Sequence, residues 1–340
     1  ARVSVVVPSY NYARFLPGCI DNILGQSGVD VDVTIVDDAS TDDSVRVAQR
    51  LAEVHPRVRV VARRENRGHI ATFNEALGSA TAPFVVKMDP DDLLPPGSLA
   101  RSAALLTDRP DVAFVYGFPM TFSDVPPAPV PSRVRGWRVW SGSSWVAKVA
   151  EGGRNVISQP EVMIRRSALQ AAGGHDPRVP ASSDLHLWLR LAQVGDVGRV
   201  DGPVQGFYRL HAASMQHTIH AGYLPDLRAR ALAFELFAAE SAASAAEGAR
   251  VLASARRALA HHALEIVSRI RDGDLDAGEP LPELLAAAAE LDPGVVGGRR
   301  WRALSEGGRP HAPAVVGRRL STDLAYRVRW RRWRRTGLWT

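Results

Sequence analysis

Between Phe84 and Leu94 the chain reads FVVKMDPDDLL, an apolar run that stops abruptly at three carboxylates, Asp89, Asp91 and Asp92, set around Pro90. The apolar residues Phe84 to Met88 suit a strand covered on both faces. Pro90 withdraws a backbone donor and stiffens the loop that follows. Carboxylates gathered in such a corner repel one another unless a cation joins them. Hard oxygen ligands suit Mg2+ or Mn2+, and Mg2+ commonly completes its shell with waters and substrate phosphates. The stretch therefore reads as a metal site. Taken by itself it reads equally as a polar turn in which an aspartate caps the next helix.

The residues on either side repeat the pattern of a strand ending in polar groups. Arg2 to Val7 (RVSVVV) ends at Pro8, Ser9, Tyr10 and Asn11, and Val31 to Val36 (VDVTIV) ends at Asp37 and Asp38. Helical spacing follows each: Phe15, Leu16, Cys19, Ile20, Ile23 and Leu24 after the first, and Val45, Ala48 and Leu51 after the second, with Ser40 and Thr41 as candidate caps. Val58 to Ala62 is a third strand, and a turn at Glu65 to Gly68 leads into a helix through Ile70, Phe73, Asn74 and Leu77. Strands and helices alternating in this rhythm predict an α/β fold with a mainly parallel sheet and right-handed crossovers. Ligands of such sheets bind at the carboxyl ends of the strands. There is no GxGxxG and no GxxxxGK[ST], so neither a dinucleotide fingerprint nor a Walker A loop is present.

A chain of 340 residues exceeds one typical domain, which predicts a large α/β domain with an appendage. The lone cysteine, Cys19, excludes an intramolecular disulfide, and its place in an apolar series makes it a core residue rather than a catalytic thiol. No stretch approaches the roughly 18 uninterrupted apolar residues of a membrane span, and the N-terminus enters strand pattern at once, which predicts a cytoplasmic protein. No nucleic-acid motif is visible. The net charge of +6 owes much to arginines near the C-terminus.

Four motifs, VVVPSYN (Val5 to Asn11), IVDDASTDDS (Ile35 to Ser44), ENRGHIATFNEAL (Glu65 to Leu77) and KMDPDD (Lys87 to Asp92), resemble in order and spacing family 2 of the inverting glycosyltransferases, which have the GT-A fold. The resemblance covers Arg2 to His217. It implies a GT-A domain over residues 1–222, with an α-helical region over 223–310 and a basic aromatic tail over 311–340. It also implies a metal-dependent enzyme moving a sugar from a nucleotide-diphosphate sugar, UDP or dTDP before GDP, to an acceptor hydroxyl. Carried over residue by residue, Pro8, Tyr10 and Asn11 line the nucleotide, Tyr10 packs on the base and Asp38 accepts from its ring N–H. Arg67 approaches the diphosphate. Asp89 faces ribose or metal, Asp91 ligates Mn2+ or Mg2+ directly, and Asp92 either ligates or caps the following helix.

Val162 to Leu191 resembles the acceptor and base region of the family, where a Glu-Asp pair opens an apolar helix. Here Ser183 and Asp184 occupy the pair, so the resemblance implies Asp184 as general base, with an N-cap role as the alternative. Two departures stand out: Ser183 replaces glutamate, and His186 stands where a second acid is frequent. His175 replaces an aromatic after Gly173 and Gly174, and with Asp176 it is a candidate acceptor contact. Phe207 to Ser214 (FYRLHAAS) resembles the arginine-x-histidine ending of many members, implying His211 as a metal or diphosphate contact; His217 and His220 are weaker candidates.

Two other classes compete. A sugar nucleotidyltransferase also gathers acids around Mg2+, but its glycine-rich, basic N-terminal loop is absent; a non-catalytic nucleotide-sugar-binding module would not need Asp184. A processive membrane synthase is set aside by the lack of spanning helices and of QxxRW. The proline-rich Ser123 to Arg133 predicts an extended surface loop. From about Leu224 the chain turns alanine-rich and helical, with Leu252, Leu259, Ala263, Ile266 and Ile270 on one face, a surface for the catalytic domain or for a homodimer partner. Leu320 to Thr340 interleaves six arginines with tryptophans, which suits either an anionic membrane surface near a lipid-linked acceptor or docking on the protein itself.

Overall fold

The computed structural model describes residues 1–211, 222–241, 244–275, 278, 280–305, 328 and 330–338. The first unit comprises residues 1–145 and 157–212. Its first half alternates β1 (Arg2–Ser9), α1 (Leu16–Leu24), β2 (Asp30–Asp37), α2 (Ser44–Val54), β3 (Val58–Ala62), α3 (His69–Gly78) and β4 (Phe84–Lys87). The second half runs α4 (Ser98–Asp108), β5 (Val112–Phe122), β6 (Gly136–Trp140), α5 (Gly142–Gly152), whose residues from Val146 on belong to the second unit, β7 (Met163–Arg165), α6 (Arg166–Ala172), α7 (Ser183–Val194) and β8 (Asp196–Arg209). These strands form one mixed sheet in the order β3-β2-β1-β4-β7-β5-β8-β6.

The four strands of the first half are all parallel. Strand β7 joins them to β5 by antiparallel pairing on both sides, and β5 then pairs parallel with β8. Valines and isoleucines of β1, β2 and β4 are buried on both faces, as near-continuous apolar strands require. Cys19 packs in this core with Leu16, Ile20 and Ile23. Connections leave β1 and β4 toward opposite edges of the sheet. The crevice between their carboxyl ends is thus a topological switch point, the usual ligand position in such sheets.

Some local readings change. Helix α2 starts at Ser44 with Asp43 as its N-cap residue, so Ser40 and Thr41 do not cap it. Helix α4 starts at Ser98 behind Gly97, well beyond Asp92, so Asp92 caps no helix. Asp184 is the second residue of α7 behind Ser182, not its N-cap. Strand β5 continues past Tyr116 to Phe122, and residues 123–135 hold no helix or strand.

The second unit comprises residues 146–156 and 213–340. Its helices are α8 (Tyr223–Ala239), α9 (Ala245–Arg271), α10 (Leu281–Leu291) and α11 (Arg299–Ser305). Ser244 caps α9 by accepting from the Glu247 N–H at 3.1 Å. Leu259, Ala263, Ile266 and Ile270 are buried as the spacing predicts, while Leu252 is half-buried and Val251 takes the inner place. Most of the tail, including Leu320, Leu324, Arg327 and Arg329, lies outside the described residues, as do His217 and His220. Trp333 donates its indole N–H to the Val156 carbonyl at 3.2 Å, which ties that part of the tail to its own unit. Among the described residues no helix is long and apolar enough to cross a membrane.

Candidate active site

The acidic loop that follows β4 is held by the end of β8. Leu93 and Phe207 exchange both backbone hydrogen bonds. The Arg209 N–H donates to Asp92 Oδ1 at 2.8 Å, and its guanidinium donates to the Asp91 carbonyl at 2.8 Å and to the Ser123 and Asp124 carbonyls. His211 Nε2 lies 2.7 Å from Asp91 Oδ2. Three carboxylates share this corner, and two face cations of the chain: Lys87 Nζ sits 3.1 Å from Asp89 Oδ1 and 3.8 Å over the Phe73 ring. Lys87 is 2% exposed.

The electrostatics follow from this crowding. Burial, then the charge of Asp89, raises the Asp91 carboxyl above its ordinary range, while His211 pulls it back. Burial and the charges of Asp91 and Asp89 push Asp92 well up. Its Oδ2 and the Nδ1 of His211 have no hydrogen-bond partner among the described residues. A cluster that holds too much negative charge for its burial, with an imidazole beside it, fits a divalent cation. Asp89, Asp91 and His211 are the residues that would hold it. Burial and the charges of nearby aspartates raise the phenols of Tyr12 and Tyr208, and the acids acting on Tyr208 are Asp92, Asp89, Asp91 and Asp184. Tyr208 thus feels the charge of both the acidic loop and the base candidate.

At the ends of β1 and β2, Asn11 takes a positive φ of 61° and its Oδ1 accepts from the Thr41 N–H at 2.8 Å. This clamps the two loops together and leaves Tyr10 44% exposed beside Pro8, which is buried in β1. Asp37 is fully buried and accepts from the Ser40 N–H and hydroxyl. Asp38 accepts from the Arg67 N–H at 2.9 Å, the Gly68 N–H at 2.9 Å and Arg63 Nη1 at 2.8 Å. Burial raises its carboxyl, but these donors outweigh it and hold the group below the ordinary carboxylate range. Asp38 therefore anchors the loop after β3, and the exposed Arg67 side chain is carried on that loop.

Asp184 stands at the start of α7 with its side chain 36% exposed, while Leu187, Trp188 and Leu191 of the same helix are buried. His175 Nδ1 lies 3.1 Å from Ser183 Oγ and 3.6 Å from Asp184 Oδ1. The His175 backbone is fixed on both sides by the Asn74 amide, at 2.6 and 2.8 Å, and its ring meets Phe73 edge-on at 5.2 Å. Burial, then the charges of Lys87 and Arg190, lowers the His175 imidazole well below its usual range, so it is neutral near pH 7. Gly174 is required here, since a Cβ would overlap the Asn74 side chain, with Cγ at 2.8 Å. The contacts run from Asp89 through Lys87, Phe73 and His175 to Asp184, which joins the acid corner to the base candidate.

Asp176 is bound by the Arg178 guanidinium at 2.5 to 3.0 Å, which lowers its carboxyl to about 2, and His186, fully buried in α7, faces Asp176 at 3.8 Å. Both belong to the packing of the segment before α7 rather than to an open surface. The sequence reading assigned no role to Lys87, Arg63, Tyr12, Tyr208, Arg209, Asn74 or Gln159. Lys87 carried a signal, a lysine inside an apolar strand two residues before an acid. Arg63 did not, because Arg64 beside it is equally placed and only the turn decides which faces Asp38.

Residues 4–172 match the family model described as glycosyl transferase family 2. The putative glycosyltransferase EpsE of Bacillus subtilis (strain 168) is 29% identical over 197 residues, covering 57% of this chain and 68% of that protein. Chondroitin synthase of Pasteurella multocida (strain Pm70) is 27% identical over 198 residues, again 57% of this chain but 19% of that protein. Among solved structures, S. aureus TarS 1-349 in complex with UDP-GlcNAc superposes with a TM-score of 0.60 at 14% identity, covering 90% of this chain and 91% of that one. Mannosyltransferase PcManGT from Pyrobaculum calidifontis in complex with GDP-Man and Mn2+ does so with a TM-score of 0.56 at 23% identity, covering 98% and 83%. The mixed eight-stranded sheet, the acid corner at its switch point and these matches together make the chain a member of glycosyl transferase family 2, a transferase with the GT-A fold and a helical C-terminal region.

Proposed function

We propose that this chain is a metal-dependent inverting glycosyltransferase that moves a sugar from a nucleotide-diphosphate sugar to an acceptor hydroxyl. The observation that carries the reading is the run of contacts that joins the acid corner to Asp184, from Asp89 through Lys87, Phe73 and His175. A donor diphosphate at the acid corner would bring its sugar toward Asp184. A divalent cation there, Mn2+ or Mg2+, would neutralise charge growing on the departing nucleotide. Lys87 and His211 keep the acids in place. Asp184, half-buried at the start of α7, takes the proton from the acceptor hydroxyl as it attacks from the face opposite the leaving group, and one displacement inverts the anomeric centre.

The nucleotide is bound by the exposed Tyr10, the loop held by Asn11 and the Arg67 to Gly68 turn anchored on Asp38. UDP-GlcNAc in TarS and GDP-Man in PcManGT both lie within the class, and the order UDP or dTDP before GDP is the one the motif resemblance implies. A thermal-shift panel of UDP-, dTDP- and GDP-sugars with and without Mn2+ tests this. The stabilising sugar nucleotide raises Tm as its concentration passes its Kd, and only with metal. No shift from any of them refutes the donor assignment, and an equal shift without metal refutes the metal.

A further inference from the structure

The carboxylate of Asp184 is gripped from a segment that the motifs did not include. Gln159 opens a short 3-10 turn, Gln159–Glu161, and is 6% exposed. With its amide nitrogen toward α7, it donates to Asp184 Oδ1 at 3.1 Å and Oδ2 at 3.3 Å. The opposite orientation would set the amide oxygen against a carboxylate, so the hydrogen-bond chemistry decides the direction.

The turn is rigid for three reasons. The Ser158 N–H donates to Glu161 Oε1 at 2.7 Å in a capping box, and Val162 closes the turn on the Gln159 carbonyl. It also seats on Gly206 of β8, where a Cβ would lie 2.9 Å from the Glu161 nitrogen. Gly206 is two residues before Tyr208, so one strand positions both the turn and the phenol on which the charge of Asp184 acts.

Across the carboxylate stands His175 Nδ1, itself bonded to Ser183. Two of the three departures from the family pattern, His175 for an aromatic and Ser183 for glutamate, therefore touch each other and share one wall of the base. The titratable and charged groups around this wall are Lys87, Asp89, His69 and Arg190 toward His175, and Tyr208 toward Asp184.

We infer that Gln159 is the positioning residue of the base: its amide holds both oxygens of Asp184 against the His175 and Ser183 wall and fixes the carboxylate plane that meets the acceptor hydroxyl. The inference rests on Asp184 being the base. A neutral donor suits the task, because it orients the carboxylate without cancelling the charge that makes it a base, as an arginine or lysine would. A small loss of alignment at a reacting group costs up to about a hundredfold in rate.

The test uses the full chain, with whichever UDP-, dTDP- or GDP-sugar the wild type turns over in the presence of Mn2+, read as nucleotide release. Gln159→Leu lowers kcat about 10- to 100-fold, with donor KM and nucleotide Kd unchanged. Gln159→Glu matches the wild-type shape but cannot donate and repels Asp184, so it falls below Gln159→Leu. A packing role would give the reverse order, since Glu fills the same space. A crystal structure of Gln159→Leu reads the same point without substrate: the Asp184 carboxylate leaves its wild-type rotamer. Wild-type kcat in Gln159→Glu, or an unmoved Asp184 in Gln159→Leu, overturns the inference. Undiminished turnover in Asp184→Asn instead refutes the base itself, so the two failures are distinguishable.

Discussion

Replacing Asp38 by asparagine separates an anchor of the nucleotide loop from a residue that serves the base alone. The carboxylate accepts from two backbone N–H groups, of Arg67 and Gly68, and from the buried Arg63 guanidinium. Asparagine keeps one accepting oxygen and turns an NH2 group toward a donor that had a partner. A hydrogen bond to a charged group is worth about 1.5–3 kcal/mol. Losing one such bond and the ionic part of the Arg63 contact predicts about 2–4 kcal/mol, short of the penalty for an orphaned buried charge. Arg63 escapes that penalty because it keeps Glu75, the Thr72 hydroxyl and the Ala71 carbonyl.

The sign with pH follows. A carboxylate held below its unfolded value contributes stability that is present above an unfolded pKa of about 3.9 and is lost as pH falls through the folded value. The difference between wild type and Asp38→Asn is therefore full at pH 7 and shrinks below about pH 4. Urea unfolding gives the free energy. Hydrogen exchange of the Arg67 and Gly68 amides gives the local opening, which matters because a chain of two units need not unfold in one step. A loss under about 1 kcal/mol, or one that does not change with pH, would refute the anchoring role.

Three further substitutions probe the corner. Lys87→Met removes the cation between Asp89 and Phe73; it lowers stability by about 1–3 kcal/mol and, because the acids then repel more strongly, tightens Mn2+ binding in an EPR titration, so weaker binding contradicts the counter-ion role. His211→Ala weakens Mn2+ about tenfold or more by the same titration, and unchanged affinity removes it from the metal site. Gly174→Ala forces Asn74 off the His175 backbone, lowering stability by about 1–3 kcal/mol in thermal unfolding and reducing kcat with donor KM unchanged; a neutral result contradicts the clamp.

The first half of the sheet was legible because β-branched runs buried on both faces leave few alternatives, and each strand ended in the polar residues that mark its carboxyl end. The acid corner was legible for the same reason. Helix starts at Ser44 and Ser98 were less so: several Ser, Thr and Asp residues precede the first, and the second begins behind Gly97 rather than at the aspartates before it. The continuation of β5 to Phe122 and the antiparallel insertion of β7 depend on pairing between distant segments, which periodicity does not record. Asp184 was singled out by the resemblance of its segment to the family's base region. Its partner Gln159 was not, and His175 was read only as an acceptor contact, because a glutamine before a proline and a histidine after two glycines become its partners only when the chain brings them to one carboxylate. Asp38 illustrates the same limit: its acid character was plain, but its three donors come from the loop after β3, which the sequence does not show closing on it.

The central claim, that the acid corner assists departure of the nucleotide while Asp184 does the proton chemistry, is tested most directly by Asp184→Asn in the full chain. Nucleotide release from the sugar nucleotide that the wild type uses is measured with Mn2+, beside the Kd of the nucleotide by calorimetry. The predicted result is a Kd equal to wild type with turnover reduced at least about a hundredfold. Turnover at the wild-type rate would contradict it.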